Sequence, residues 1–247
     1  MGVMKSMPTL IRLGNSLHRF NHYSKDVDRA RRTGDPVEER RVIASCVGKW
    51  GRDVARILDL HVNVIGSENV PEHDGLVFIS NHQGYADIIA LILALPGRQI
   101  GFVAKEELSR IPLLGTWINK IRGFFLKRGD AREALKSMRQ GSEMLKQGFN
   151  LVIFPEGTRS NGPEMGEFKP GSFRLATGAK ADIVPVSISG SYKVYEEKGR
   201  VVHGRTITVM FHKPVETASL DRRQLKTVET NVENVIRQGL TDIAEKN

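Results

Sequence analysis

Residues 77–95 read Val77-Phe78-Ile79-Ser80-Asn81-His82-Gln83-Gly84-Tyr85-Ala86-Asp87-Ile88-Ile89-Ala90-Leu91-Ile92-Leu93-Ala94-Leu95. Val77 to Ser80 is a short apolar strand. Polar residues from Asn81 turn the chain, and residues 86–95 are apolar enough for a buried helix. Strand, turn and helix in immediate succession are the building unit of an α/β fold.

The same alternation continues on both sides. His61 to Ile65 alternates like a strand. Ile100–Ala104, Gly123–Lys127, Leu151–Phe154, Ile183–Ile188 and Thr206–Phe211 are further strand candidates. Asp130 to Lys146 reads as a long helix, with Asp130 as N-cap and Gly148 as its stop. Ser172–Gly178 and Leu220–Ala244 read as helices. This order predicts an α/β fold with a mainly parallel or mixed central sheet flanked by helices.

The first 60 residues differ. Met4, Met7, Leu10, Ile11, Leu13, Leu17 and Phe20 recur at spacings of three and four, with Lys5, Arg12, Arg19 and Lys25 between or after them. A polar stretch follows, including Thr33, Gly34, Asp35 and Pro36. Ile43, Val47, Trp50, Val54, Ile57 and Leu58 then repeat the spacing. Two amphipathic helices joined by a turn are expected. The division is therefore residues 1–60, an N-terminal two-helix element, and residues 61–247, an α/β domain.

Charge points to the partners. The 247 residues carry a formal net charge of +9. Residues 1–60 hold 12 Lys/Arg against 7 Asp/Glu, so the excess is concentrated there. Such a pair of helices serves to cover the core, to lie on an anionic bilayer, or to do both with different faces. The longest unbroken apolar run, Ile88 to Leu95, is too short to cross a membrane. Any membrane contact is therefore expected to be interfacial, on the cytoplasmic face. Cys46 is the only cysteine, which excludes an intrachain disulfide and fits a reducing compartment. Aromatic residues make up 6% of the chain, with no stacking motif, so nucleic acid is not an expected partner.

His82 and Asp87 are the first candidates for chemistry. Histidine suits proton transfer near neutral pH, and a carboxylate beside it holds one tautomer and stabilises the imidazolium. No G-x-S-x-G elbow occurs in the chain, so the hydroxyl that such a base would activate belongs to a substrate. On a continuous helix the two residues would lie about 140° apart. They meet only if His82 sits in the turn and Asp87 in the first turns of the helix. By itself the pair also fits a solvated loop histidine beside a helix-start carboxylate.

Phe154-Pro155-Glu156-Gly157-Thr158-Arg159-Ser160 is a second strand-to-turn segment. Arg159 offers a guanidinium fork for a phosphate. Free backbone N–H groups around Gly157 would add anion donors.

Taken together, these segments resemble the glycerophospholipid acyltransferase family, in particular its 1-acyl-glycerol-3-phosphate acyltransferases. Four ordered blocks carry the resemblance: Asn81, His82 and Asp87 of N-H-x4-D; Gly123 to Arg128; Phe154 to Ser160; and Ile183 to Ile188 around Pro185. The resemblance implies that His82 is the general base and Asp87 its partner. Arg128, Glu156, Gly157, Thr158 and Arg159 would hold the glycerol phosphate. Lys105, ending the strand before the second block, is a further phosphate candidate. The implied reaction moves an acyl group from acyl carrier protein or acyl-CoA to lysophosphatidic acid, with no metal and no bound cofactor. Two other readings stand beside it. One is a sister acyltransferase using glycerol-3-phosphate or another lysophospholipid. The other is a non-enzymatic basic protein that binds lipid or nucleic acid.

Overall fold

A computed structural model describes residues 2–127, 131–169 and 171–246 of the chain. Among the described residues, seven strands form one sheet: β1 (Leu60–Ile65), β2 (Val77–Ser80), β3 (Gly101–Lys105), β4 (Phe124–Leu126), β5 (Leu151–Ile153), β6 (Ile183–Ser189) and β7 (Arg205–Phe211). Their order is β1-β7-β6-β2-β5-β3-β4. All neighbours run parallel except β6 and β7. The mixed sheet of the sequence reading is thus present.

The central strands are mostly apolar because both faces are covered. Val77, Phe78, Ile79, Leu151, Val152, Ile183, Val184 and Val186 are buried together in one core. The edge strand β1 is buried only at Leu60, with His61, Asn63 and Val64 exposed. Around the sheet lie α4 (Ala86–Ala94), α5 (Leu114–Lys120), α6 (Ala131–Lys146), α7 (Arg174–Ala179) and α8 (Arg222–Glu245). Asp221 caps α8 in a reciprocal box with Gln224. The proposed cap of α6, Asp130, lies outside the described residues.

The N-terminal element holds three helices, not two: α1 (Gly2–Tyr23), α2 (Lys25–Thr33) and α3 (Pro36–Leu58). Residues 25–33, between the two apolar stripes and reaching into the polar stretch at Thr33, supply the additional helix. They form a helix in which Val27 and Ala30, three apart, bury against the rest, Asp28 and Arg31 pair with Lys120 and Glu39, and the other charges are exposed. The actual break is Gly34, at φ +75°, followed by Asp35, which accepts the Val37 N–H at 2.9 Å, with Pro36 at the first helical position.

Helix α3 buries Ile43, Val47, Val54 and Leu58 in the same core as the sheet. At Gly51 it approaches α4 so closely that a Cβ would lie 2.6 Å from the Ile92 side chain. Phe20, Trp50 and Trp117 pack in tilted and edge-to-face contacts, 5.0 to 6.2 Å between centroids, where α1, α3 and α5 meet. A charged anchor lies nearby. Buried Glu39 accepts from Arg31 Nε at 2.7 Å, and from Arg122 Nε and Nη2 at 2.8 and 2.6 Å.

The apolar stripe expected on α1 is divided. Leu13, Leu17 and Phe20 pack inward, and the inward face continues through Ser6, Thr9 and Ser16. Met7, Leu10 and Ile11 face outward. The stripe spans too wide an arc for a single helix face to bury. Among the described residues no helix is long and apolar enough to cross a membrane.

Candidate active site

Strands β2, β5, β3 and β4 are parallel neighbours, so their C-terminal ends share one edge of the sheet. Ligands in open α/β sheets bind at this edge. The loop after β2 carries His82, and the loop after β5 carries Phe154 to Ser160. Adjacency of β2 and β5 brings the two loops together.

Asn81 directs the first loop. Its Oδ1 accepts the Ile188 N–H and its Nδ2 donates to the Ile188 carbonyl, both at 2.8 Å. One flat amide thus continues the pairing with β6 after β2 has ended. Gln83 acts similarly, accepting from the Gly190 N–H at 2.9 Å and donating to the Pro163 carbonyl at 3.3 Å. The backbone of residues 82 and 83 is also held: the His82 and Gln83 carbonyls accept from the N–H groups of Ser160 and Asn161, at 2.8 and 3.2 Å.

Between these fixed points the His82 ring lies flat on Phe154, with centroids 4.1 Å apart and an interplanar angle of 16°. His82 Nδ1 is 2.7 Å from Asp87 Oδ2. Asp87 is fully buried in the first turn of α4, where the helix N-terminus favours a negative charge. The same oxygen accepts the Gly84 N–H at 3.0 Å. The loop-to-helix arrangement required by the five-residue spacing is therefore the one observed. With a carboxylate as its partner, Nδ1 carries the proton, which leaves Nε2 as the acceptor on the ring. The imidazole is 19% exposed, enough to reach solvent or a ligand.

The second loop turns at Gly157, φ +67°, whose N–H donates to the Phe154 carbonyl at 3.0 Å. That donor is used inside the turn. The N–H groups of Thr158 and Arg159 have no acceptor among the described residues. Glu156 is turned inward. Oε1 accepts the His82 N–H at 2.6 Å and Oε2 the Gly166 N–H at 2.9 Å. Burial raises its pKa more than these two hydrogen bonds lower it, and the nearby Asp87 adds to the rise.

Arg159 is 30% exposed. Its guanidinium lies 3.6 Å over the Tyr85 ring, and Nη1 is 3.0 Å from Glu196 Oε1. The arginine thus stands beside the His82 loop, with an acidic partner, Glu196, that lies outside the four sequence blocks. Thr158 is exposed at the loop tip. Lys105 is exposed at the C-terminal end of β3, on the same sheet edge. Arg128 lies outside the described residues.

A strand-turn-helix histidine with a buried aspartate, next to an arginine-bearing turn, defines the class. Residues 61–189 match the family described as Acyltransferase, and the chain belongs to that family. It is 34% identical over 164 residues to a chloroplastic 1-acyl-sn-glycerol-3-phosphate acyltransferase of Arabidopsis thaliana, covering 65% of this chain and 45% of the relative. A probable 1-acyl-sn-glycerol-3-phosphate acyltransferase of Mycoplasma pneumoniae is 32% identical, covering 74% of this chain and 72% of the other. The chain spans about half the length of the plant relatives it matches. The crystal structure of the 1-acyl-sn-glycerophosphate acyltransferase of Thermotoga maritima superposes with a TM-score of 0.78 at 27% identity, over 99% of this chain and 98% of that one.

Proposed function

We propose that the protein transfers an acyl group from a thioester to the free sn-2 hydroxyl of 1-acyl-glycerol-3-phosphate, giving phosphatidic acid. The observation that carries this reading is the 2.7 Å contact between His82 Nδ1 and buried Asp87, which leaves Nε2 as a base at the mouth of the loop. The names of the relatives supply the acceptor.

His82 Nε2 takes the proton of the acceptor hydroxyl as its oxygen attacks the thioester carbonyl carbon. Asp87 stabilises the imidazolium that results. The tetrahedral oxyanion collapses, the C–S bond breaks, and the imidazolium returns its proton to the leaving thiolate. The products are an ester and a thiol, with no covalent enzyme intermediate. The N–H groups of Thr158 and Arg159 are the candidate oxyanion or phosphate donors. Arg159, Thr158 and Lys105, with Arg128, are assigned to the phosphate. Glu156 supports this site indirectly, because both its oxygens brace the two loops. The donor is acyl carrier protein thioester or acyl-CoA, and no bound cofactor takes part.

The outward Met7, Leu10 and Ile11, with Arg12 and Arg19 on the same helix, support docking of residues 1–60 on an anionic membrane surface at its cytoplasmic face.

The test is acyl transfer by the purified protein to lysophosphatidic acid from each donor, beside His82→Ala. Loss of about 10²- to 10⁴-fold in the variant is expected. Undiminished transfer would reject His82 as the base. Thioester hydrolysis without transfer would reject the acceptor.

A further inference from the structure

Glu196 belongs to none of the four sequence blocks, yet its carboxylate sits where two of them meet. Oε1 accepts both the Tyr85 N–H, at 2.9 Å, and Arg159 Nη1, at 3.0 Å. The side chain is 4% exposed. Space for it exists only because residue 84 is glycine: a Cβ there would lie 2.5 Å from Glu196 Oε2. Tyr85 covers one face of the guanidinium and Glu196 takes one of its edges. The remaining edge is the part left for a ligand.

The segment that carries Glu196 is itself held at both ends. Gly190 donates to Gln83 Oε1 at 2.9 Å, so the segment starts from the His82 loop. Glu197 N–H donates to the Tyr192 carbonyl, and Val202 N–H to the Val194 carbonyl, at 3.0 and 2.8 Å. At its far end the Val201 N–H donates to Ser6 Oγ of α1 at 2.8 Å. A buried carboxylate on a pinned segment, next to a long cationic side chain, fixes the direction of that side chain before any ligand arrives.

We propose that Glu196 is a positioning residue. It holds the Arg159 fork toward the acceptor's phosphate, so that the ordering cost of the arginine falls on folding rather than on binding. The proposal rests on the reading of Arg159 as the phosphate ligand. Its negative charge works against phosphate affinity, so its benefit is orientation alone. The amide of Glu196→Gln keeps the acceptor for Tyr85 and Arg159 and removes that charge.

The experiment is a double-mutant cycle of Arg159→Ala and Glu196→Ala, with Glu196→Gln beside it. It reads kcat, the KM for lysophosphatidic acid and the KM for the acyl thioester, with a melting temperature for each variant. Arg159→Ala should raise the acceptor KM about ten- to a hundredfold, the worth of a hydrogen bond to a charged group. Glu196→Ala should raise it about three- to tenfold, the cost of ordering one long side chain. Its kcat and its donor KM should stay near wild type, Glu196→Gln should restore the acceptor KM, and Glu196→Ala should add nothing once Arg159 is gone.

If Arg159→Ala leaves the acceptor KM unchanged, the phosphate reading itself fails. If Arg159→Ala raises it but Glu196→Ala does not, or the two effects simply add, the positioning role fails. A fall in kcat with both KM values displaced, and no rescue by glutamine, would make Glu196 merely structural. Should Glu196→Ala not fold, Glu196→Leu takes its place in the cycle.

Discussion

Glu39 and Glu156 are buried to nearly the same depth, 3% and 4% exposed. Their carboxyl groups are nevertheless pushed in opposite directions. For Glu39 burial acts upward, but hydrogen bonds and charge from Arg122 and Arg31 outweigh it, and its pKa lies below the ordinary value of 4.5. For Glu156 burial wins, because its partners are two neutral backbone N–H groups. The first is an anchor between the N-terminal helices and the turn before β4, with every partner a full charge. The second is a brace inside the site, bonded to the His82 and Gly166 N–H groups. Burial alone therefore does not tell a structural carboxylate from one in a functional loop. The charge of what faces it does.

The largest expected difference between the two regions is in rate. Asp87→Asn, beside Glu156, removes the charge that stabilises the imidazolium, and acyl transfer should fall about 10²- to 10⁴-fold. Glu39→Gln should leave the rate per folded molecule unchanged. Equal losses would erase the distinction between anchor and site.

Stability should separate them next. Glu39→Ala strands two guanidiniums, Arg31 and Arg122, which are 33% and 25% exposed. Removing one partner of a buried pair is expected to cost roughly 3 kcal/mol here, the low end of the range because solvent reaches both arginines. Urea unfolding measures it. A loss under about 1 kcal/mol would demote Glu39 to an ordinary surface-type pair.

The pH dependence should have opposite signs. The lowered Glu39 carboxyl contributes stability that is present above the ordinary glutamate range and lost as pH falls through its depressed value. The raised Glu156 carboxyl contributes stability that is present below that range and lost as pH rises through its elevated value. The melting-temperature advantage of wild type over Glu39→Gln should therefore shrink on acidification. Wild type should lose ground against Glu156→Gln as pH rises. Parallel trends for the two variants would break the comparison.

The smallest effect sharpens the anchor side. Lys120 Nζ meets Asp28 at 2.7 Å, with the aspartate 41% exposed. Asp28→Ala should change unfolding free energy by only about 0.5 kcal/mol and should leave the rate untouched.

Much of the catalytic half was legible in the chain. The run from Val77 to Leu95 encodes a strand, a turn and a helix through local periodicity, and all three appear at β2, the His82 loop and α4. The five-residue spacing of His82 and Asp87 required one residue before the helix and one inside it. That requirement is local and is met at 2.7 Å. The N-terminal element was less legible. Residues 25–33 are so rich in charge that the two buried positions, Val27 and Ala30, are too few to show a period. The α1 stripe concealed a division, because sequence spacing marks apolar residues without saying which will find a partner.

The sequence by itself determined the α/β order and the site of most turns, and it set the geometry in which His82 and Asp87 can meet, because each depends on backbone geometry within a few residues. Only the tertiary structure decided what surrounds them. Asn81 meets Ile188, 107 residues away, because β6 lies beside β2. Glu156 reaches the His82 N–H because β5 lies on the other side. Glu196 meets Arg159 because the chain after β6 returns over the same edge. A carboxylate carries no local sign of whether it will face a backbone N–H or a guanidinium. The strand order settles that by setting which chain ends converge.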